Sequence, residues 1–428
     1  MVKQNFVLKG DICYSPSLKE LKCVKNGYLV CKDGICEGVF EKLLPEYIEF
    51  PLIDCSGMLV VPGMVDLHIH APQFTFRGMG MDLELLDWLK TYTFPEETKY
   101  ADVDYSRMAY REFAHTMKNS ATTRAVVFAT VHRTATVMLM DLLEETGLIT
   151  YVGKVNMDSD APDDLREESA EISAFDTVGW LEDIEGRYVR TKPIITPRFL
   201  PSCSEKLLNE LKEIREKYDL PVQSHLSENP DEVALVKKLF PKAAFYGDGY
   251  DRYGLFGKEA KTVMAHCVYC TDDEVERIYN NGVFVAHCPT SNMNLSSGIA
   301  PIRRFLEKGI RVGLGTDVGA GECESVFRAI GDTIQVSKLY WRMASKDCAP
   351  LSFAEAFYLA TAGGGEFFGK VGKFEKGFEF DAVVVDDYEL SGLNEIPIIS
   401  RLERAIYLEA DNKYIYKKYV GGNEIDLD

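Results

Sequence analysis

The fold of this chain is decided by the stretch Val60-Val-Pro-Gly-Met-Val-Asp-Leu-His-Ile-His-Ala-Pro-Gln73, in which a short apolar strand ends in two histidines. Side chains two residues apart in an extended strand point to the same side. The imidazoles of His68 and His70 therefore face one point, as two ligands of one metal ion would. Because a lone His-x-His pair is also common at surface or core positions, its meaning depends on the rest of the chain.

Length and composition are those of a globular enzyme. The chain has 428 residues, of which 46% are hydrophobic and 27% charged, and this size suits two or three domains or one large α/β barrel with an appendage. The net charge of −19 argues against binding nucleic acid or an anionic membrane through a basic face. The 11 cysteines are scattered, the amino terminus does not resemble a signal peptide and no apolar run has the length of a membrane span. These features predict a cytoplasmic protein.

Both ends of the chain carry β-like patterns. Short apolar runs separated by Gly and Asp extend from Phe6 to Val61, and further runs occur at Phe380–Asp386, Arg404–Leu408 and Tyr414–Tyr416. We expect residues 1–61 and 370–428 to combine into one small β-sandwich. Residues 62–369 then form the central domain.

The central domain alternates short apolar runs with longer amphipathic ones, which is typical of βα units. The candidate strands are Met64–His70, Arg124–Phe128, Thr150–Asn156, Pro193–Pro197, Pro221–His225, Thr262–His266, Gly282–His287 and Ile310–Thr316. Capping boxes predict helix starts at Ser202, Thr271 and Ser352. Eight parallel strands, each followed by a helix, imply a closed (β/α)8 TIM-like barrel, whose active site lies at the carboxyl ends of the strands.

Polar residues collect at those predicted strand ends. Five of the seven histidines and one aspartate occupy them: His68, His70, His225, His266, His287 and Asp317. Each alone fits a core histidine or a capping aspartate, but their shared position on one rim indicates a site. We predict that His68, His70, His225 and Asp317 hold one catalytic Zn²⁺ per chain and leave a position open for water. Fe²⁺ accepts the same ligands.

Other residues near these ligands suit proton transfer. Glu228 follows His225 by three residues, close enough for a general acid/base, although a surface glutamate at the start of the next helix would look the same. His266 would stabilise charge on the attacking oxygen. Asp317 can also accept a proton from the bound water. We interpret His287 as a structural or supporting residue.

The motifs resemble those of the amidohydrolase superfamily over nearly the whole chain. They are Pro62–His70, His225-Leu-Ser-Glu228, Ala265-His266-Cys267, His287-Cys-Pro-Thr-Ser-Asn292 and Gly315-Thr-Asp317. Within that superfamily, His70-Ala-Pro-Gln73 and Thr196-Pro-Arg198-Phe199 resemble the guanine deaminases.

This resemblance implies hydrolytic deamination of guanine to xanthine and ammonia by a metal-activated hydroxide, a step of purine catabolism, in a homodimer. It implies that Gln73, Arg198 and Phe199 contact the purine. His70, His225 and Asp317 would lie against the substrate as well as the metal. Arg198 offers donors to the O6 edge, and Gln73 offers a donor and an acceptor. Phe199 offers a ring contact. In the alternative interpretations Arg198 pairs with a loop carboxylate and Phe199 is plain core.

Three other functions fit parts of the pattern. A related hydrolase could deaminate an adenosine derivative, cytosine or a triazine. A binuclear amidohydrolase would need a modified lysine at the end of the fourth strand, whereas Lys192 precedes that strand. A barrel scaffold without activity should have lost metal ligands, and these are retained. The other zinc deaminase architecture needs H-x-E and a later P-C-x-x-C, which this chain does not contain at the required spacing.

Overall fold

The computed structural model describes residues 4–390 and 395–428. Its strands are β1 (Phe6–Ser17), β2 (Glu20–Lys32), β3 (Ile35–Phe40), β4 (Leu52–Pro62), β5 (Met64–His70), β6 (Thr122–Phe128), β7 (Ile149–Gly153), β8 (Val155–Asn156), β9 (Thr191–Pro193), β10 (Thr196–Pro197), β11 (Val222–Leu226), β12 (Thr262–His266), β13 (Phe284–His287), β14 (Val312–Leu314), β15 (Ala382–Val385), β16 (Ile415–Val420) and β17 (Asn423–Ile425). Its α-helices are α1 (Leu85–Trp88), α2 (Phe94–Thr98), α3 (Val103–Asn119), α4 (Arg133–Thr146), α5 (Ala170–Ile184), α6 (Glu205–Tyr218), α7 (Pro230–Leu239), α8 (Asp248–Asp251), α9 (Asp272–Asn281), α10 (Pro289–Asn294), α11 (Ile302–Lys308), α12 (Val326–Met343), α13 (Phe353–Tyr358) and α14 (Ile398–Tyr407).

The central strands close into a barrel. Strands β5, β6, β7 and β9 form one four-stranded parallel sheet, and β11 to β14 form another. On one side Gln223 N donates to Ile195 O at 3.0 Å, and on the other Asp317 N donates to His68 O at 2.8 Å. Because these bonds join the two sheets at both edges, the predicted (β/α)8 fold class is confirmed.

The two chain ends meet in one seven-stranded sheet, with the order β17-β16-β15-β4-β1-β2-β3. Strand β15 pairs antiparallel with β4, and β4 leads into the first barrel strand after Gly63. The predicted union of the two ends is therefore confirmed, whereas the domain boundaries after residues 61 and 369 stay a prediction.

Two local predictions are wrong. The run Arg404–Leu408 was expected to be a strand, but residues 404–407 belong to helix α14. Leu402, Ala405 and Ile406 are its buried residues, and their spacing of three and four is helical. At the start of α6 the N-cap is Ser204, whose side chain accepts from Leu207 N, rather than the predicted Ser202.

The other two predicted helix starts are observed. Ser352 and Glu355 form a full capping box at α13. Thr271 caps α9, but Glu274 turns its side chain to Gly247 N instead of returning to the cap. Within residues 4–390 and 395–428, no helix combines the length and apolar character needed to cross a bilayer.

A buried ion pair fastens the barrel to the terminal sheet, and it gives a stability prediction. Arg124 on β6 donates from Nε to Asp381 Oδ2 at 2.7 Å, and both side chains are buried. We expect Arg124→Met to lower the free energy of unfolding by about 3–5 kcal/mol, because the Asp381 charge is left buried without its partner.

Chemical denaturation measures this loss. The matched control is Arg133→Met, which removes a partly exposed pair with Asp183 and should cost at most about 1 kcal/mol. Equal losses in the two variants would show that the buried pair does not fasten the two parts of the fold.

Candidate active site

An irregularity in the first barrel strand turns both of its histidines toward the barrel mouth. Val65 and Leu67 pack in the barrel interior, so strict alternation would direct His68 away from it. The β5–β6 register shifts between Asp66 and Ile69. This shift changes the alternation, and the rings of His68 and His70 approach each other with centroids 4.8 Å apart.

The four predicted metal ligands come together. His70 Nε2 lies 3.2 Å from both His68 Nε2 and His225 Nε2. Asp317 Oδ1 lies 3.2 Å from His68 Nε2 and 3.4 Å from His70 Nε2. Separations near ~3.3 Å are those between neighbouring ligands of one metal ion with bonds of ~2.0–2.1 Å. The spacing and chemistry of this donor set fit a divalent metal ion.

Two of the predicted ligands, His70 and His225, are suited to bind a metal as neutral imidazoles. Burial, followed by the effect of neighbouring imidazoles, holds the pKa of His70 and of His225 well below the ordinary histidine value. His225 Nδ1 lies 2.5 Å from the carbonyl oxygen of Arg198. Since a carbonyl only accepts, Nδ1 carries the proton and the Nε2 lone pair is left for a metal.

Asp317 is held as a carboxylate on a strained backbone. Burial alone would raise its pKa, but His68 and the other imidazoles hold the pKa of this carboxyl well below its usual range. Asp317 has φ 52° and His266 has φ 72°. Left-handed backbone at non-glycine residues costs roughly 1–3 kcal/mol each and is concentrated at functional sites.

The two predicted proton-handling residues lie side by side. Glu228 Oε2 is 3.4 Å from His266 Nε2, and Glu228 Oε1 accepts from Ser297 Oγ at 3.2 Å. Burial raises the pKa of Glu228 well above its ordinary value, and the carboxylates of Glu232 and Asp317 add to this effect. Glu228 is thus a buried carboxyl disposed to hold a proton, not a surface glutamate.

Most of these groups line a cavity with about 390 Å³ of empty space, its opening to solvent included. Its polar lining comprises His70, Gln73, Arg198, His225, Glu228, His266 and Asp317. Its apolar lining comprises Leu85, Trp88, Leu89, Phe199, Leu295 and Ala320. A cavity with an apolar lining and a few converging polar groups is typical of a site for a small organic molecule.

Of the predicted purine contacts, Gln73, Arg198 and Phe199 all line the cavity. Arg198 also pairs with a carboxylate, that of Glu97 on α2, at both guanidinium ends. Phe199 also belongs to an apolar cluster with Trp88. Arg198 and Phe199 therefore both line the cavity, and each also fills its alternative role, pairing with a carboxylate in the case of Arg198 and apolar packing in the case of Phe199.

His287 and Lys192 lie elsewhere. His287 lines a different small cavity with Thr333, and its ring nitrogens have no hydrogen-bond partner within the described ranges. Burial lowers the pKa of His287 to about 3. Lys192 lies within strand β9 and not, as the sequence predicts, before the fourth strand. It is exposed and lines a groove with Glu182 outside the proposed site, which does not support a lysine-bridged pair of metals.

Three supporting residues were missed from the sequence. Asp66 accepts from Thr316 Oγ1 at 2.5 Å and so ties the first strand to the loop before Asp317. The sequence feature that could have identified Asp66 is its position two residues before His68. Asn292 lies 3.0 Å from His266 Nδ1, and its signal was the predicted motif at residues 287–292. Glu97 had no sequence signal.

Comparisons with known proteins agree with this geometry. The sequence profile described as the amidohydrolase family matches residues 59–425. A probable guanine deaminase of Schizosaccharomyces pombe is 37% identical over 398 residues, which cover 89% of this chain and 75% of the relative. Human guanine deaminase is 38% identical over 382 residues, with 85% and 82% covered. The crystal structure of guanine deaminase from C. acetobutylicum with guanine bound in its active site has a TM-score of 0.95 at 45% identity, over 99% of this chain and 100% of that one. The chain belongs to the amidohydrolase family.

Proposed function

We propose that this protein hydrolyses guanine to xanthine and ammonia. The observation that carries the proposal is the joint presence, in the lining of one cavity, of three of the four proposed metal ligands (His70, His225 and Asp317) and of Gln73, Arg198 and Phe199. The fourth ligand, His68, lies 3.2 Å from His70. The guanine-bound structure that it resembles supports the same substrate. In the overall reaction, the oxygen of water replaces the 2-amino group of the purine and ammonia leaves.

The metal ligands are proposed to be His68, His70, His225 and Asp317, and the ion to be one Zn²⁺ per chain. When bound, such an ion lowers the pKa of a coordinated water toward ~7 and so supplies a nucleophile at neutral pH. Burial holds the pKa of His70 and of His225 well below the ordinary histidine value, so these two imidazoles are neutral. The Asp317 carboxylate would offset part of the ion's charge.

We assign proton transfer to the side chains beside the four proposed metal ligands. Glu228 takes the proton released when water adds to C2 and delivers it to the adjacent ring nitrogen N3. Asp317 accepts the second proton of the added water and passes it to the 2-amino group, which leaves as ammonia. His266, held by Asn292 on its other nitrogen, stabilises the charge that develops on the incoming oxygen.

The substrate pocket orients C2 toward these groups. Arg198 and Gln73 donate to the O6 edge, while Phe199 and the apolar wall enclose the ring and exclude water. The imidazoles of His70 and His225 and the carboxylate of Asp317 lie on the reacting side. A homodimer and a cytoplasmic location stay predictions.

A substrate panel tests the proposed function. We expect ammonia release from guanine with a kcat/KM at least roughly 100-fold above that for adenine, adenosine, cytosine or a triazine, because a site built to hydrogen-bond the 6-oxo group of a purine rejects rings that do not place an oxo group there. The assay is steady-state ammonia release by purified, zinc-loaded protein. A higher kcat/KM on any other member of the panel would replace guanine as the substrate.

A further inference from the structure

Glu97 joins the two residues that face the purine edge. It is 1% exposed, and its carboxylate accepts from both terminal nitrogens of Arg198, with Nη2 at 2.9 Å from Oε1. The same Oε1 accepts from Gln73 Nε2 at 3.1 Å. Among the described residues, the cavity lining includes Gln73 and Arg198 but not Glu97. Glu97 therefore acts on the pocket through these two neighbours.

The network settles the orientation of the Gln73 amide. A carboxylate only accepts hydrogen bonds, so the Gln73 nitrogen must face Glu97. A backbone N–H only donates, and Gly319 N lies 3.2 Å from Gln73 Oε1. Both contacts agree on one orientation of the amide, in which its oxygen faces Gly319 N and one N–H of its nitrogen is not used by Glu97.

The edge of the cavity formed by Gln73 and Arg198 is therefore rich in donors, and we call it the donor wall. Arg198 has five N–H groups, of which the pairing with Glu97 uses two. The oxygens of Glu97 are taken by Arg198 and Gln73, and the oxygen of Gln73 is taken by Gly319. Three N–H groups of Arg198 and one of Gln73 are then left at this edge, and they outnumber the second lone pair of Gln73 Oε1.

We propose that Glu97 is a positioning residue that fixes Gln73 and Arg198 as a donor wall, and that this wall selects a 6-oxo purine over a 6-amino purine. The proposal rests on the proposed function and adds the origin of its selectivity. An oxo group accepts from such a wall, whereas an amino group would place N–H against N–H and leave buried donors unpaired. The pairing also balances the charge of Arg198 inside the pocket.

Binding of two unreactive ligands tests this selection without turnover. Hypoxanthine carries the 6-oxo group and adenine the 6-amino group, and neither has a 2-amino group to lose. In the wild-type protein we expect hypoxanthine to bind roughly 100-fold more tightly than adenine. In Glu97→Gln the ratio should fall below about 10-fold, because the new amide can turn a donor toward Gln73 and free its orientation. Calorimetric titration gives both dissociation constants.

The neighbouring glutamate provides the matched control. Glu96 is also buried, but it bonds to Thr75 and Lys99. Glu96→Gln should keep the wild-type ratio. Should Glu97→Gln fail to fold, Glu97→Asp keeps the charge but is too short to reach Arg198 and Gln73 together, and its ratio should lie between about 10-fold and the wild-type value.

The role of Glu97 and the proposed function can be overturned separately. A wild-type ratio in Glu97→Gln, or in Glu97→Asp where the first variant is unfolded, overturns the role of Glu97, as does an equal change in Glu96→Gln. Ammonia release from guanine by the wild-type protein is measured separately. Its absence overturns the proposed function, whatever the binding ratio shows.

Discussion

Replacing Asp317 by asparagine should empty the metal centre and lower kcat/KM for guanine by roughly 10³-fold or more, because the metal is required to supply several kcal/mol of transition-state stabilisation. Asp317 is the one anionic member of the four proposed ligands, and the imidazoles hold its pKa well below the usual range. Asparagine keeps the size but loses the charge. Metal content per chain and ammonia release are measured on the same preparation.

Asp411 provides the matched control for this substitution. It is a buried carboxyl outside the cavity, bonded to Ser325 Oγ at 2.8 Å, and burial raises its pKa to about 7. A neutral amide replaces it with little electrostatic change, so Asp411→Asn should keep metal and turnover. Full metal occupancy in Asp317→Asn would remove Asp317 from the ligand set. Adding Zn²⁺ or Fe²⁺ to chelator-treated wild-type protein identifies which ion restores activity.

A single sequence could reveal the site residues that lie at the ends of barrel strands. An apolar run that stops at a histidine or aspartate marks the carboxyl end of a barrel strand, and closure of the barrel then fixes where those ends meet. Strands Met64–His70 and Thr262–His266 match their predicted bounds. The barrel therefore brought His68, His225 and Asp317 together without any local sequence signal linking them.

Residues selected by tertiary contact could not be found in this way. Glu97 and Arg198 are 101 positions apart, and nothing near Glu97 in the sequence distinguishes it from Glu96. Helix α14 was mistaken for a strand because a short apolar run fits both periods. The sequence also could not show that His287 lines a different cavity, because its place at a strand end resembles that of His266.

Glu228→Gln should keep the metal but lower kcat by about 10²–10⁴-fold, the range that general acid–base catalysis contributes. Addition of water to C2 releases a proton, and N3 must gain one before ammonia can leave. A carboxyl whose pKa burial raises well above its ordinary value can accept the first proton and donate it onward. Glutamine can hydrogen-bond to Ser297 and His266 in its place, but it cannot transfer a proton. Metal analysis and single-turnover kinetics separate loss of the ion from loss of chemistry.

Glu274→Gln shows whether any buried glutamate would have the same effect. Burial raises the pKa of Glu274 too, but its carboxylate accepts from Gly247 N at 2.6 Å and Ser227 Oγ at 3.0 Å. It is absent from the cavity lining among the described residues. Since it has no proton to move in the reaction, its exchange should change stability while kcat stays within roughly threefold, a difference of less than 1 kcal/mol in the barrier. Near-normal turnover in Glu228→Gln would remove Glu228 from the mechanism and leave Asp317 as the proton acceptor, because Asp317 is the remaining carboxylate of the cavity lining.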